Sequence, residues 1–451
     1  MPGVTLSRWT MSYFAAALVA LLLGEALMAA GYGFPTADIR APETLVVVHL
    51  LALGWLSLLM CGALFQFVPV LIARPLHDND LPLPTLVLLI VGLAALLLGF
   101  LQLAGTVRAG FSMLPVAALL LAGGFALALW NLGRTLWTGR PLPLPARFVA
   151  VGLLSLVATV ALGGLFAFGF AGLLRSDALL AIAAAGLPLH VVAGVGGWLT
   201  FAAMGVSYRL LAMFMLAPEL EGRRPRAVLW SGTAGLAAVI LGGLALLLAQ
   251  GALRPALALG GALALASLAL YGADILHLYR ARKRRSIELN SRMAALALLS
   301  LGASVLLLLA LILLGRLDQN LGALLFLLIM GWLTGLGLAK LYKIVAFLTW
   351  LECYGPVLGR AATPRVQDLV IEPRARKWFV LHFAAAALGT VALLLSHPLC
   401  FRLAAAALFV AALGIAAQIL RIRTLADVAA PTRLPEGARA PHLLFSVPTS
   451  P

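Results

Sequence analysis

The chain has 451 residues, of which 63% are hydrophobic and only 11% are charged. A water-soluble domain of this composition would aggregate, so the composition excludes an ordinary soluble protein and indicates a polytopic membrane protein. The net charge of +16 would suggest a nucleic-acid partner in a soluble protein. Here the basic residues cluster in alternate loops, which is a topology signal, so no nucleic-acid partner is expected.

The sequence predicts an all-α fold with twelve membrane-spanning helices, because apolar runs of about 20 residues or more follow one another with short loops between them. The first run contains Glu25 and is too long for a signal peptide, so we interpret it as a retained helix. Residues 425–451 are rich in proline and predicted to be a disordered tail. The predicted spans are 10–33, 44–72, 84–105, 113–137, 148–173, 184–216, 227–250, 255–279, 293–315, 320–351, 378–397 and 402–422.

The loops after even-numbered helices hold most of the lysines and arginines, whereas the other loops hold single arginines such as Arg40 and Arg108. Cytoplasmic loops carry such an excess of positive charge. The sequence therefore predicts that both termini are cytoplasmic, and we expect the bacterial inner membrane as the location. The residues that carry this signal are Arg74, Arg140, Arg147, Arg223, Arg224, Arg226, Arg280, Arg282, Lys283, Arg284, Arg285, Arg360, Arg365, Arg374, Arg376 and Lys377.

One short motif occurs three times, on the second, sixth and tenth predicted helices. The pattern is Gly-Trp-Leu-(Ser or Thr), seven further residues, an aromatic residue, and then a polar or cationic one. The copies are GWLSLLMCGALFQ at 54–66, GWLTFAAMGVSYR at 197–209 and GWLTGLGLAKLYK at 331–343. Their spacing predicts three units of four helices each, at about residues 1–140, 141–285 and 286–424.

In each copy the tryptophan, a small residue seven positions later and the polar residue eleven positions later fall within about 20° on a helix. The small residue permits close approach of another helix. The polar end has two interpretations: side chains that reach the lipid headgroups, or an anion-binding cluster where the units meet. Lys340 lies on the same side as Lys343 and would attract a lipid phosphate or a substrate anion, or anchor the helix. The stripe consists of Trp55, Gly62 and Gln66; Trp198, Gly205 and Arg209; and Trp332, Ala339 and Lys343.

This organisation, with the stretches "HLLALGW…GALFQFVPV" and "HVVAGVGGWLTFAAMGVSYRLLAMF", resembles subunit I of the haem–copper oxidase superfamily and the related NnrS-type membrane proteins. The resemblance implies a low-spin haem between histidines of the second and tenth helices, and copper and a second haem on the sixth, seventh and tenth. His49 matches the low-spin haem ligand. His190 is the candidate for the copper ligand, although its place in the repeat is two residues earlier than that of His49.

The seventh and tenth predicted helices contain no histidine, which is a departure from the oxidase pattern. The chain is therefore not expected to be a terminal oxidase or a nitric oxide reductase. We expect a haem-binding membrane protein, with copper as a second candidate, that acts in electron transfer, nitric oxide or gas response, or metal handling. Its expected partners are membrane lipids and a respiratory complex or electron carrier.

Three histidines lie well inside predicted spans, whereas His277 and His397 stand at the ends of theirs. A polar side chain in lipid suggests function by default. His49 and His190 are the predicted metal ligands, whereas His382 lies nearer the inner surface; interhelical hydrogen bonding is the alternative for each. Glu25 would orient His49, join a metal site, pass protons, or be a neutral packed acid. The predicted cofactor-binding residues are His49, His190, Glu25, Trp55, Trp198 and Trp332.

Two other classes of function remain open. The first is a transporter or channel, since repeats and a polar stripe also suit transport, although this repeat is parallel and threefold. The second is a structural subunit that kept the oxidase scaffold and lost its metals, which the missing histidines favour. Fold analogy supports function only by association.

Overall fold

A computed structural model describes residues 7–446, and no strand occurs within them. Twelve helices are long and apolar enough to cross a membrane, which confirms the predicted all-α fold and the number of spans. The mean hydropathy of their best windows runs from 1.6 to 2.8. These helices are α1 Thr10–Ala30, α2 Pro42–Ile72, α3 Pro82–Leu103, α4 Leu114–Thr138, α5 Leu144–Phe170, α6 Leu187–Met215, α7 Arg223–Leu248, α8 Arg254–Arg280, α9 Leu289–Leu313, α10 Leu317–Val357, α11 Glu372–Leu394 and α12 Pro398–Arg423.

Proline and glycine set many of the helix ends. Proline is the first residue of α2, α3 and α12, where its missing N–H would have had no helical partner anyway. After α1 the chain turns at Gly31 with φ of 77°, and the N–H of Tyr32 reaches back to the Leu27 carbonyl at 2.9 Å. Glycine adopts this left-handed conformation without the steric cost of a Cβ. The hydropathy pattern therefore located the helices, and these prolines and glycines mark many of their ends.

Four of the helices contain a π-helical segment, in which the backbone bonds run from residue i to i+5. Three of the four segments hold the three copies of the Gly-Trp-Leu motif. The sequence analysis assumed regular α-helix there and missed this feature. Only two or three residues after each tryptophan belong to the segment, so the stripe beyond it keeps its α-helical spacing. The segments are Leu50–Ser57 in α2, Val192–Phe201 in α6, Ala238–Gly242 in α7 and Leu327–Thr334 in α10.

The chain forms two compact units. The first contains the residues up to Gln66 together with those from Glu288 on, and so holds α1, most of α2, and α9 to α12. The second contains Phe67 to Ile287 and holds α3 to α8.

Similar helix pairings recur within the units. In the first unit α1 packs on the π-helical segment of α2, and α9 packs on that of α10; in the second, α5 packs on that of α6. Helices α3 and α4, α7 and α8, and α11 and α12 also form closely packed pairs. These recurrences agree with three four-helix repeats, a division that remains a prediction.

The small residue of the stripe lies at a close approach of two helices in the first two copies. A Cβ on Gly62 would lie 2.5 Å from the Tyr13 Cβ of α1, and one on Gly205 would lie 2.5 Å from the Phe148 Cβ of α5. Real Cβ atoms essentially never come this close. The sequence-based expectation of close helix packing at these glycines is therefore met in both units.

Part of the C-terminal stretch predicted to be a tail lies against the first unit. The Tyr354 Oη donates to the Arg433 carbonyl at 2.8 Å, and the Ser446 N–H donates to the Arg8 carbonyl at 2.8 Å. The Ser12 Oγ donates to the Leu444 carbonyl. Residues 447–451 of the predicted tail lie outside the described residues.

Candidate functional site

His49 lies in α2 directly before the π-helical segment Leu50–Ser57, and it is half-buried. Its Nδ1 lies 2.8 Å from the Leu45 carbonyl oxygen, one turn earlier in the same helix. A carbonyl can only accept, so in the neutral ring Nδ1 carries the hydrogen and Nε2 carries the lone pair. The backbone therefore fixes both the tautomer and the direction of the ring.

His190 has the same arrangement in the second unit. Its Nδ1 lies 3.0 Å from the carbonyl oxygen of Thr159 on α5, so Nε2 again carries the lone pair. The ring packs edge-on against Phe166 at 5.5 Å between centroids. A Cβ on Gly163 would lie 3.1 Å from the His190 Cε1, so this glycine makes room for the imidazole.

The ligand role of both histidines remains a prediction, and one feature of their hydrogen bonding is compatible with it. Histidines that bind metals almost always donate the other ring N–H to a carbonyl, a carboxylate or water, as these two do. The two histidines belong to different compact units. Within residues 7–446, no three or more His, Cys, Asp or Glu side chains gather into a group that would hold a metal ion. A haem brings four nitrogens of its own and needs only axial ligands from the protein, so this donor set suits haem better than copper.

The tenth helix does not supply a second histidine opposite His49. The residue six positions before Trp332, equivalent to His49 before Trp55, is Phe326. Its ring packs 5.1 Å from that of Phe401, and a Cβ on Gly389 would lie 2.8 Å from it. The residues present therefore do not fit a haem held by one histidine from α2 and one from α10.

Glu25 is completely buried in α1, and neither carboxyl oxygen has a hydrogen-bond partner among residues 7–446. A Cβ on the preceding residue, Gly24, would lie 2.9 Å from a Leu51 methyl. Helix α1 therefore contacts the π-helical segment of α2 at the residue before Glu25. The Leu45 carbonyl, and not this carboxyl, accepts the hydrogen of the His49 Nδ1.

The three motif tryptophans are buried, with exposed fractions of 0% for Trp55, 2% for Trp198 and 0% for Trp332. The Trp55 Nε1 donates to the Thr334 Oγ1 at 3.0 Å, which joins the first motif copy to the third inside one unit. A Cβ on Gly337 would lie 2.8 Å from a Leu59 methyl, so α2 and α10 are in direct contact there. These contacts give Trp55 a packing role, and its contact with a cofactor remains a prediction.

His382 on α11 is fully buried, and it is the third histidine predicted inside the membrane, though not chosen as a ligand. Its Nε2 donates to the Met330 carbonyl at 3.0 Å, within the π-helical segment of α10. This bond leaves the lone pair on Nδ1, which has no hydrogen-bond partner in the described part of the chain. Only the occurrence of a histidine inside a span signalled this residue in the sequence.

Each polar end of the stripe has a partner close to it. The Gln66 Oε1 accepts the Ser7 N–H at 2.9 Å, and the Lys343 Nζ lies 2.8 Å from a Glu288 carboxyl oxygen. Arg209 pairs with Glu219 in the loop that follows its own helix. Lys340 is buried, with 7% of its surface exposed. The carboxylates beside Lys343 and Arg209 offset the positive charge that an anion-binding cluster would need, so these contacts favour a structural role.

Two ion pairs that each hold a buried carboxylate could not be found from the sequence, because their members lie 50 and 71 positions apart. Arg423 lies 2.9 Å from Glu352, and both side chains are at least nine-tenths buried. In the second unit the Asp274 carboxylate, which is fully buried, pairs with Arg224 and accepts the Tyr208 Oη at 2.8 Å. Both pairs supply the partners that a buried charge requires.

Beyond the last span, Asp427 is held by Arg421 and, at 3.0 Å, by Arg374. The hydrogen bond from Arg421 is the main cause that lowers the pKa of the Asp427 carboxyl below its usual value. This carboxylate fastens the turn after α12 to the start of α11.

No known protein-family model matches the chain, and no curated protein matches it. The likeness to the haem–copper oxidases therefore rests on the residues and topology named above.

Proposed function

We propose that this chain is an integral membrane protein that binds haem through His49 as an axial ligand. The observation that carries the proposal is the hydrogen bond from the His49 Nδ1 to the Leu45 carbonyl, which holds Nε2 in its lone-pair form. Haem iron, when bound, supplies electron transfer and the binding of small gases.

The absence of a histidine from α10 favours a haem with one protein ligand. Phe326 stands at the repeat position of α10 that is equivalent to His49, and its ring is packed against Phe401. A haem held there by His49 alone would supply the binding of a small gas. A role in nitric oxide or gas response, with a respiratory complex or electron carrier as partner, is part of the proposal.

His190 is a second candidate ligand, in the other unit. Its Nδ1 donates to the Thr159 carbonyl, so its Nε2 also carries the lone pair, and His190→Ala tests it. Lipids surround the apolar helices, and the bacterial inner membrane with both termini inside is the proposed location.

The test is the visible absorption spectrum of the detergent-purified protein, oxidised and dithionite-reduced, with haem content measured by extraction. We expect a Soret band that shifts on reduction and on addition of carbon monoxide, and that is lost in His49→Ala. His397→Ala is the matched control, because this histidine is exposed after α11. Loss of the band only in His190→Ala would move the ligand to the second unit. A band unchanged in both variants would overturn the assignment.

A cofactor-free scaffold subunit is the second candidate. It is favoured by the direct contact of α2 and α10 at Leu59 and Gly337, and by Phe326 in place of a histidine. For this candidate the same spectrum would be featureless in well-folded protein expressed with excess haem.

A further inference from the structure

The proposed haem site does not explain the protonation state of the buried Glu25 carboxyl. Its side chain has no exposed surface, and its two carboxyl oxygens accept no hydrogen bond from any residue between 7 and 446. It lies in α1, in a span with a mean hydropathy of 2.0. An ionised carboxylate without a partner in such surroundings is strongly disfavoured, and the group takes up a proton instead.

The other buried carboxyl groups of the spans show what an ionised one needs. Glu352 is paired with Arg423 at 2.9 Å and also accepts the Ser446 Oγ at 3.1 Å. Asp274 is paired with Arg224 and accepts the Tyr208 Oη. Within the described residues Glu25 has neither a cation nor a hydrogen-bond donor, so the same kind of burial leads to a different protonation state.

The elements packed against α1 bring several titratable or charged groups, and none is hydrogen-bonded to the Glu25 carboxyl. The Arg402 guanidinium donates to the Ala29 carbonyl at 3.0 Å, one turn further out. Arg421 and Arg423 are engaged by Asp427 and Glu352, beyond the other end of α1. The groups on these elements are Glu43, His49 and Cys61 on α2 and Cys400, Arg402, Arg421 and Arg423 on α12.

We propose that Glu25 is a proton-binding site inside the membrane, a neutral carboxylic acid at neutral pH that loses its proton only when positive charge or water reaches it. A sodium ion would need several more oxygen ligands around the carboxyl, and among the described residues Glu25 belongs to no group of three or more His, Cys, Asp or Glu side chains that could hold a metal ion. The ligand is therefore the proton. The proposal stands whether or not the chain binds haem.

Infrared spectroscopy of the full-length protein in an ester-free detergent at pH 8 tests this directly. A protonated carboxyl has a C=O stretching band that carboxylates lack and that shifts in heavy water. We expect this band in the wild type and its loss in Glu25→Gln. It should persist in Glu352→Gln and in Glu221→Gln, whose parent carboxyls are ion-paired and exposed, respectively.

Absence of the band from the wild type, or an identical band in Glu25→Gln, would overturn the proposal. Loss of the band on adding sodium at constant pH would also overturn it, since the site would then take a metal cation. If Glu25→Gln does not accumulate, wild-type protein is treated with dicyclohexylcarbodiimide. The carboxyl O–H adds across one C=N bond of the reagent, and the adduct rearranges to a stable N-acylurea with no leaving group. Peptide mapping should find the adduct on Glu25 and not on Glu352 or Asp274, and its absence from Glu25 would contradict the proposal.

Discussion

At the scale of single residues, the neighbours of each buried polar side chain set its chemistry. His49 and His190 each donate Nδ1–H to a backbone carbonyl, whereas His382 donates Nε2–H to the Met330 carbonyl. The first two therefore present Nε2, the atom at the far end of the ring, and the third presents Nδ1. Identical residues in one membrane protein thus differ in the nitrogen that is able to hold a metal.

Removing one member of a buried ion pair should be far more harmful than replacing an unpaired acid. Glu352→Gln leaves the Arg423 charge buried without its counter-ion, so we expect a loss of about 3 kcal/mol in the free energy of unfolding. Glu25→Gln keeps the shape and the neutral state that we propose for Glu25, so its effect should stay near 1 kcal/mol or below. Thermal unfolding of both variants in the same detergent checks this. Equal losses would mean that Glu25 is also ionised and paired.

The Asp427 carboxylate should make the contact between the start of α11 and the turn after α12 sensitive to acid. Its pKa in the folded protein is lowered by Arg421 and Arg374, below the unfolded value of about 3.9. Its contribution is therefore present above the unfolded pKa and is lost as the pH falls through the folded pKa. Asp427→Asn should lower stability at pH 7 by about 1 kcal/mol and flatten its decline below about pH 4. Asp368→Asn, in the exposed pair with Arg365, is the control and should change little. A wild-type acid profile that Asp427→Asn leaves unchanged would contradict this account.

At the scale of helices, close packing depends on the glycines of the stripe. An alanine Cβ at Gly62 would lie 2.5 Å from the Tyr13 Cβ, and one at Gly205 equally close to that of Phe148. Overpacking of this kind costs about 1–3 kcal/mol, so Gly62→Ala and Gly205→Ala should each lower thermal stability. Gly302→Ala is the matched control, because a Cβ there meets nothing within 4 Å, and it should be neutral or mildly stabilising. Equal stability of all three variants would show that these helices tolerate a wider separation.

Hydropathy was sufficient to find the twelve helices, because each must bury about 20 residues in lipid whatever its neighbours are. The repeat pattern also located the tryptophan segments. It did not reveal that these segments are π-helical, because that depends on backbone packing that the residue types do not specify. The candidate histidines were visible as polar residues inside spans. Their tautomers, the burial of Glu25 and the distant partners of Glu352 and Asp274 required the three-dimensional structure.

At the scale of the whole molecule, the positive-inside orientation remains a prediction that a native cysteine is able to test. Cys400 is exposed at the start of α12, whereas Cys61 and Cys353 are buried. With both termini inside, Cys400 faces the outer side, so a membrane-impermeant maleimide should label it in intact cells. Ser286→Cys in a Cys400→Ser background, placed in the basic loop after α8, should be labelled only after permeabilisation. The reverse pattern would invert the topology.

The central claim is that His49 holds a haem, and one comparison tests it most directly. The dithionite-reduced minus oxidised spectrum is recorded for the purified wild type and for His49→Ala, at equal protein concentration and equal thermal stability. The account predicts a haem difference spectrum in the wild type that the variant lacks. A featureless wild-type spectrum, or one that the variant reproduces in full, would contradict it.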